Sequence, residues 1–285
     1  MRFELAGPVS AMFLLNSGDN MDFSQKMLLM FSPLQLISIF VSIFVLIAVS
    51  GSIIMRRLVP NARLKMHNDF IGPVFGVMGT IYAVMLAFVV VITWESHDAA
   101  KQHIDREVSG LVSLFAESEC FKEPMRSEVR KAVLDYAEAV VNSEWNGLKT
   151  GVSTPFTDTR LYNAMKLYGS YEPATKAEEI CLAKSVDKIS DVIELRRMRQ
   201  LDSRNGIHPI LWLTLIAGGI ITVLMSCVFG AESFSLQIIT TISLACIIAI
   251  VLFTIVELDY PFTGKIGLSP AAFQEIVMRL KVYLT

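Results

Sequence analysis

The chain has 285 residues, of which 53% are apolar or aromatic and only 18% are charged, with a formal net charge of −2. Soluble domains usually carry about 25% charged residues, so this composition excludes a single water-soluble globule. The charge balance also provides no extended basic surface, which excludes nucleic acid as an expected partner.

The charged side chains are concentrated in one segment, residues 95–207, which holds 35 of the 52 Asp, Glu, Lys and Arg residues. A helix needs about 20 apolar residues to cross the roughly 30 Å hydrocarbon core of a membrane. Four stretches of that length lack Asp, Glu, Lys, Arg and His, namely 33–55, 71–94, 209–231 and 233–256. The sequence therefore predicts an all-α membrane protein with four transmembrane helices, arranged as two hairpins, 33–94 and 208–257.

Residues 1–32 precede the first predicted span. Arg2 and Glu4 lie near the start, and Gly7 and Pro8 interrupt the apolar run that follows. A secretory signal needs a basic start and an unbroken apolar core. We therefore expect this segment to be an N-terminal extension that is mobile or lies at the membrane interface.

The second span is expected to continue beyond the membrane as a long rod. No proline or glycine interrupts the chain between Thr80 and Ser109, and apolar residues keep helical spacing as far as Phe115. A helix over about residues 71–120 would be roughly 75 Å long at 1.5 Å per residue.

The second span also carries a row of small residues, which begins with Gly72 and Gly76 and continues to Ala87. Small residues spaced by four allow close approach of a neighbouring helix. The same span offers bulky apolar side chains that could bound a conduit and close it by dewetting. Periodicity does not distinguish a pore face from a packing face, because both arcs are apolar.

The polar insert, 95–207, is predicted to be a soluble helical domain, since its apolar residues recur at helical spacing and no segment alternates with period two. The tail, 258–285, ends in a predicted amphipathic helix, 270–284. Ser269 is its expected N-cap and Pro270 its first helical residue. This helix could lie on the insert or at the membrane interface.

The distribution of basic residues predicts the orientation. Nine Lys and Arg residues lie near the span ends on the side of the insert and the termini, against four in the first inter-span loop. The positive-inside rule then places the termini and the soluble domain in the cytoplasm. Arg56 and Arg57 argue the other way, since they directly follow the first span. Candidate contacts with lipid headgroups are Arg56, Arg57, Arg196, Arg197 and Arg199.

The sequence contains no group of side chains at a spacing typical of catalytic or metal-binding motifs. His97 and His103 are six residues apart and face different sides of a helix. Cys120 and Cys181 lie in the insert without a CxxC spacing, so no disulfide can be inferred. We expect neither an enzyme nor a bound metal or cofactor.

Two groups of motifs resemble one family, and the resemblance extends over roughly residues 40–280. The motifs are Arg56-Arg57-Leu58-Val59-Pro60, His67-Asn68, the run from Gly79 to Val90, Trp94-Glu95, Ala100, Arg106-Glu107, Asp259-Tyr260-Pro261-Phe262-Thr263-Gly264 and Ser269-Pro270. They resemble the bestrophin-like family of bacterial membrane proteins. Bestrophins proper are pentameric anion channels, in which the second span lines the pore and a helical cytosolic domain lies between the second and third spans.

The resemblance implies a homo-oligomeric ion channel of the bacterial inner membrane, a pentamer by analogy, with lipid and inorganic ions as partners. The candidate residues for pore lining or helix packing are Gly72, Gly76, Gly79, Thr80, Ala83, Leu86, Ala87 and Val90. The alternative hypothesis is a non-conducting membrane scaffold or sensor whose soluble domain binds a partner. Fold-level analogy alone does not decide between these functions.

Overall fold

The structure, a computed structural model, describes residues 23–151 and 155–283. Most of the predicted N-terminal extension and the last residues of the predicted tail helix lie outside these ranges. The described residues form helices and no strand. The α-helices are α1 Phe23–Met30, α2 Pro33–Leu58, α3 Asn61–Met66, α4 Asn68–Glu117, α5 Met125–Ala139, α6 Trp145–Leu148, α7 Pro155–Gly169, α8 Lys176–Asp202, α9 Pro209–Ser226, α10 Phe234–Asp259 and α11 Ala271–Val282.

Four helices, α2, α4, α9 and α10, are long and apolar enough to cross a membrane. Helix α4 runs without interruption for 50 residues, as the absence of breaking residues predicted. A capping box starts α2, because the side chain of Ser32 accepts from the backbone N–H of Gln35 while the Gln35 side chain accepts from that of Ser32. These features confirm the predicted all-α membrane protein with four spans.

The third span is shorter than predicted, since α9 ends at Ser226 rather than near residue 231. The chain turns there because Gly230 packs directly on the backbone of the first inter-span loop, where an added Cβ would lie 2.4 Å from the nitrogen of Lys65. The Asn68 side chain also binds Gly230, donating to its carbonyl at 2.8 Å and accepting from its N–H at 3.1 Å. Tertiary contact, rather than hydropathy, thus sets this helix end.

One compact unit comprises Met27–Lys101 and Asn205–Leu268 and contains α2, α9, α10 and the part of α4 up to Lys101. Helix α2 packs against α9 and α10. Its core is a cluster contributed by all four helices, with the buried members Phe44, Ala48, Tyr82, Leu86, Val89, Leu215, Val223, Ala245, Ile248, Ala249, Leu252 and Ile255.

The other unit comprises Gln102–Arg204 with the described parts of Met1–Lys26 and Ser269–Thr285. Here α5 packs against α7 and α11, and α7 packs against α8. The tail helix therefore lies on the helices of the polar insert, one of the two surfaces that the sequence allowed. It begins at Ala271 with Pro270 as N-cap, so the prediction of Ser269 as N-cap was wrong by one residue.

Candidate functional site

Helix α4 has one buried face inside the apolar unit. Tyr82, Leu86, Val89 and Thr93 lie on this face and are buried. The hydroxyl of Tyr82 donates to the carbonyl of Leu215 in α9 at 3.0 Å. Because a buried hydroxyl without a hydrogen bond is costly, this bond fixes the rotation of α4 against α9.

Two glycines of α9 make room for the Tyr82 ring. A Cβ at Gly218 would lie 2.6 Å from Cδ2 of Tyr82, and a Cβ at Gly219 would lie 2.8 Å from its hydroxyl oxygen and 3.1 Å from Ile248. Such distances are far inside van der Waals contact. The pair Gly218-Gly219 therefore leaves the space that the Tyr82 ring occupies on α9, a role that the sequence did not reveal.

The small residues of α4 form a second face, which no described residue covers. Gly76, Thr80, Ala83 and Ala87 are exposed, and Gly72 and Gly79 are half-exposed. No atom of the described residues would lie within 4 Å of a Cβ added at Gly72, Gly76 or Gly79. The row therefore does not serve packing between helices of the same chain.

A third face of α4 carries bulky apolar side chains that are exposed in the single chain. At 3.6 residues per turn it lies roughly a quarter of a turn from the small-residue face. Its members are Val77, Ile81, Val84, Phe88 and Val91. Ile81, for example, has 66% of its surface exposed.

The candidate residues of the second span thus separate by face. Leu86 is only 8% exposed and belongs to the core cluster, and Val90 packs against that cluster. These two residues fit the helix-packing interpretation. The hydroxyl of Thr80 donates to the carbonyl of Gly76 at 2.8 Å, so it is already satisfied by its own helix, as is usual for Thr in an apolar span.

The end of α10 holds two acidic residues that the sequence analysis did not select. Asp259 accepts from the backbone N–H of Ile207 at 2.6 Å and from the indole N–H of Trp212 at 3.2 Å. Glu257 is 6% exposed, and its two carboxylate oxygens accept no hydrogen bond from any described residue. The signal available in the sequence was their position at the end of an otherwise acid-free span.

Arg56 and Arg57 lie at the other end of the apolar unit, in the last turn of α2. The guanidinium of Arg56 lies over the ring of Phe234 at 4.7 Å from its centroid. Arg57 is exposed.

The unit that contains the polar insert has a buried ion-pair network. Arg199 donates to both carboxylate oxygens of Glu107, at 2.8 and 3.1 Å, and lies 3.4 Å from Glu144. Arg196 donates to Glu144 at 3.2 Å, and the hydroxyl of Tyr136 donates to Glu107 at 2.5 Å. Five ionisable side chains therefore share one buried site.

The environment of this buried network shifts the pKa values of Arg199 and Tyr136. Burial by itself would lower the pKa of Arg199, but the carboxylates of Glu107 and Glu144 raise it, and the net pKa lies above the ordinary value. Burial and the Glu107 carboxylate raise the pKa of Tyr136 well above its ordinary value. Arg199 therefore stays charged and Tyr136 stays neutral.

The network also corrects part of the predicted headgroup set. Arg196 and Arg199 are buried and bind carboxylates of their own chain, so neither can reach a lipid. Helix α8 buries an ionic face because carboxylates on other helices compensate its guanidinium groups. Arg197 is exposed and remains a candidate.

In the described ranges, no three His, Cys, Asp or Glu side chains come together to hold a metal ion. The hydroxyls of α10 donate to carbonyls of their own helix; for example, Ser243 donates to Ile239 at 2.8 Å. Among the described residues, the uncovered faces of α4 are one of the features left without an intrachain role.

Comparison with known proteins identifies the family. A family model, the Bestrophin-like domain, matches residues 42–273. A bacterial bestrophin homologue from Klebsiella pneumoniae, phased with zinc, has a TM-score of 0.67 at 12% identity, covering 87% of this chain and 98% of its own. A point mutant of a homologue from the same organism has a TM-score of 0.66 at 11% identity, covering 86% and 99%. No curated protein matches the chain. Because the family model spans most of its length, this protein belongs to the Bestrophin-like family.

Proposed function

We propose that the chain is a subunit of a homo-oligomeric ion channel of the bacterial inner membrane, with α4 of each copy around a central conduit. The observation that carries this proposal is that α4 has one face packed in its own chain and two apolar faces without a described neighbour. In a ring of identical subunits, one of these faces would pack against the next copy, and the other would line the central conduit. The family resemblance suggests five copies.

The two uncovered faces suit different roles. The small-residue face of Gly76, Thr80, Ala83 and Ala87 allows close approach of a helix from the next copy, because little side-chain volume stands between the backbones. The bulky face of Ile81 and its neighbours would form an apolar constriction that can gate by dewetting. We therefore assign the small-residue face to packing between copies and the bulky face to the conduit.

The proposed orientation has the termini and the soluble insert, 95–207, in the cytoplasm. The excess of basic residues on that side supports it. Arg57, in the last turn of α2, and Arg197, in α8, are exposed and would bind anionic headgroups. Reporter fusions at Asn61 and after Thr285 test the orientation.

Conduction is tested with the purified full-length protein in planar bilayers. We expect unitary currents for the wild type and a larger current for Ile81→Thr, because a hydroxyl in an apolar constriction favours wetting. Leu46→Thr, at an exposed position of α2, is the matched control and should conduct like the wild type. Thr80→Trp should prevent assembly by filling the packing face. A stable wild-type oligomer that never conducts across anions, cations and pH would contradict the proposal.

A second candidate function is a non-conducting scaffold. The observation in its favour is a groove of about 500 Å³ between α4 and α8, lined by His103, Arg106, Lys188, Asp191 and Glu194 among others. Cross-linking from a photoreactive residue at Ser109 would test it. Reproducible capture of one partner by a non-conducting protein, lost on deletion of 122–206, would favour the scaffold.

A further inference from the structure

A disulfide joins two helices of the unit that contains the polar insert. Cys120 ends the 3₁₀ turn that follows α4, and Cys181 lies in the second turn of α8, with the two Cα atoms 6.4 Å apart. The bonded residues are 61 positions apart in sequence. The bond therefore encloses α5, α6 and α7 in one covalent loop.

The two bonded cysteines are more exposed than Cys227, whereas the fourth cysteine, Cys246, is half-buried like Cys181. Cys120 is exposed and Cys181 is half-buried. Cys227, in contrast, is buried beside Ser52 in the apolar unit. Thiol–disulfide exchange requires a thiolate to reach a sulfur atom in line, so the Cys120–Cys181 bond is accessible to thiols dissolved in water.

The junction that the disulfide spans is also held by non-covalent contacts. The hydroxyl of Ser185 donates to Glu117 at 3.1 Å, and the ammonium group of Lys122 lies 3.4 Å from Glu178. Phe121 is buried, with its ring centroid 5.2 Å from that of Tyr171. None of these contacts involves a sulfur atom, so the junction does not depend on the disulfide alone.

The cellular compartment that contains the insert determines whether these two cysteines are reduced or oxidised. Glutathione and thioredoxin keep cytoplasmic thiols reduced, and a cytoplasmic disulfide is usually transient. We propose that Cys120 and Cys181 are a reversible thiol–disulfide site, a dithiol in growing cells that is closed by glutathione disulfide when the cytoplasm becomes oxidising. This proposal rests on the cytoplasmic placement of the insert within the proposed function.

Closure proceeds by two exchanges. The Cys120 thiolate, the more exposed of the two, attacks glutathione disulfide, forms a mixed disulfide and releases one glutathione thiolate. The Cys181 thiolate then attacks the Cys120 sulfur of that mixed disulfide, forms the intrachain bond and releases a second glutathione thiolate. Two protein thiols are oxidised, one glutathione disulfide is reduced, and the two thiol protons pass to the released glutathiones.

The state of the pair can be read in intact cells that express the full chain. Cells are quenched with acid, the protein is denatured, and free thiols are labelled with a polymer-linked maleimide that shifts the band on a gel. The chain has four cysteines, so the dithiol takes four labels and the disulfide takes two. We expect four labels in growing cells and two after treatment with diamide. Cys120→Ser should take three labels under both conditions.

A reporter fused after Thr285 in the same strain separates failure of the redox site from failure of the orientation. Two labels in untreated cells with a cytoplasmic reporter would overturn the reversible site and leave the orientation intact. Two labels with an external reporter would overturn both. Four labels on purified protein after excess glutathione disulfide would overturn the site irrespective of orientation.

A second measurement uses the purified full-length protein in detergent. Dithiothreitol should lower the Tm of the oxidised wild type by about 5–10 °C, because opening a 61-residue loop restores freedom to the unfolded chain. Cys120→Ser should show no such shift. An equal shift in both proteins would show that dithiothreitol acts elsewhere and would overturn the assignment to this pair.

Discussion

Arg199 and Glu107 are 92 positions apart in sequence, yet both are completely buried and are joined by two hydrogen bonds. The pair connects α8 to α4. Arg199 also lies over the rings of Trp145 and Phe273, at 5.8 and 5.3 Å from their centroids. Its contacts therefore involve α6 and α11 as well, and this one guanidinium ties four helices of the unit together.

Removing one member of this pair should be strongly destabilising. Arg199→Met would leave the Glu107 carboxylate buried without its counter-charge, at a cost of about 3–5 kcal/mol, whereas Glu144 would keep its ion pair with Arg196. We expect a fall in Tm measured by size-exclusion chromatography of heated detergent extracts. Arg279→Met is the control, because Arg279 forms only an exposed pair with Glu275, and exposed pairs contribute little. Equal Tm values for the two variants would contradict a structural role for the network.

Gly219, which packs against Tyr82, and Gly76, which has no described neighbour, should respond differently to an added methyl group. Gly219→Ala should destabilise the apolar unit by about 1–3 kcal/mol, because the Cβ would overlap Tyr82 and Ile248. Gly76→Ala should leave the folded subunit unaffected, since no described atom lies within 4 Å of the new group.

Native mass spectrometry and thermal unfolding together distinguish the two effects. If the small-residue face packs between copies, Gly76→Ala should reduce the oligomer fraction while the subunit stays folded. An unchanged oligomer would instead indicate that Gly76 faces lipid or the conduit. A fully stable Gly219→Ala protein would show that α4 and α9 can separate at no cost.

Asp259 should be sensitive to the loss of one acceptor oxygen. In Asp259→Asn, one side-chain position becomes an NH₂ group that must face either the N–H of Ile207 or the indole N–H of Trp212, both of which are donors. We expect a loss of about 1–3 kcal/mol, the cost of a buried donor without an acceptor, and altered Trp fluorescence. Glu232→Gln, at a position in the α9–α10 turn with a 94% exposed side chain, should change neither.

Glu178 should contribute a pH-dependent part of the stability of the insert unit. The backbone N–H of Ala174 lowers the pKa of Glu178 below its ordinary value of 4.5, burial opposes this, and Tyr171 and Lys122 lower the pKa further. The unfolded chain therefore takes up this proton before the folded chain does as the pH falls. The stabilisation is fully present above pH 4.5 and is lost as the pH decreases through the folded-state pKa.

The measurement compares Tm between about pH 6 and pH 3. The wild type should lose stability more steeply below its unfolded-state pKa than Glu178→Gln, which cannot take up the proton. The neighbouring Glu179→Gln is the matched control, because Glu179 is exposed and pairs only with Lys176. Parallel curves for the wild type and Glu178→Gln would refute the assignment.

The sequence-based predictions agree best with the structure where hydropathy alone determines the outcome. Long segments without charge have no stable place in water, so the four spans could be located by counting residues. The long helix α4 followed from the absence of breaking residues. The end of α9 was misplaced because residues 227–231 are apolar enough to continue the helix, whereas in the structure tertiary contacts of this turn, including those of Gly230 with the first inter-span loop, accompany its end.

The interpretation of α8 failed for a related reason. Arginines beside an apolar span suggest headgroup contacts, but Arg196 and Arg199 meet Glu144 and Glu107 of distant helices. Ion pairing of this kind depends on which helices become neighbours, and no local pattern encodes that. The same holds for Cys120 and Cys181, whose spacing alone did not imply a bond.

The sequence by itself determined that this is a membrane protein, how many transmembrane helices it has, and which family it resembles, because hydropathy and short motifs are local properties. The tertiary structure decided which face of α4 is covered by its own chain, which arginines are buried, and where Tyr82 and Gly218-Gly219 meet. Those outcomes depend on side-chain volume and compensating charge brought together across long sequence separations, and such complementarity exists only once the helices have packed.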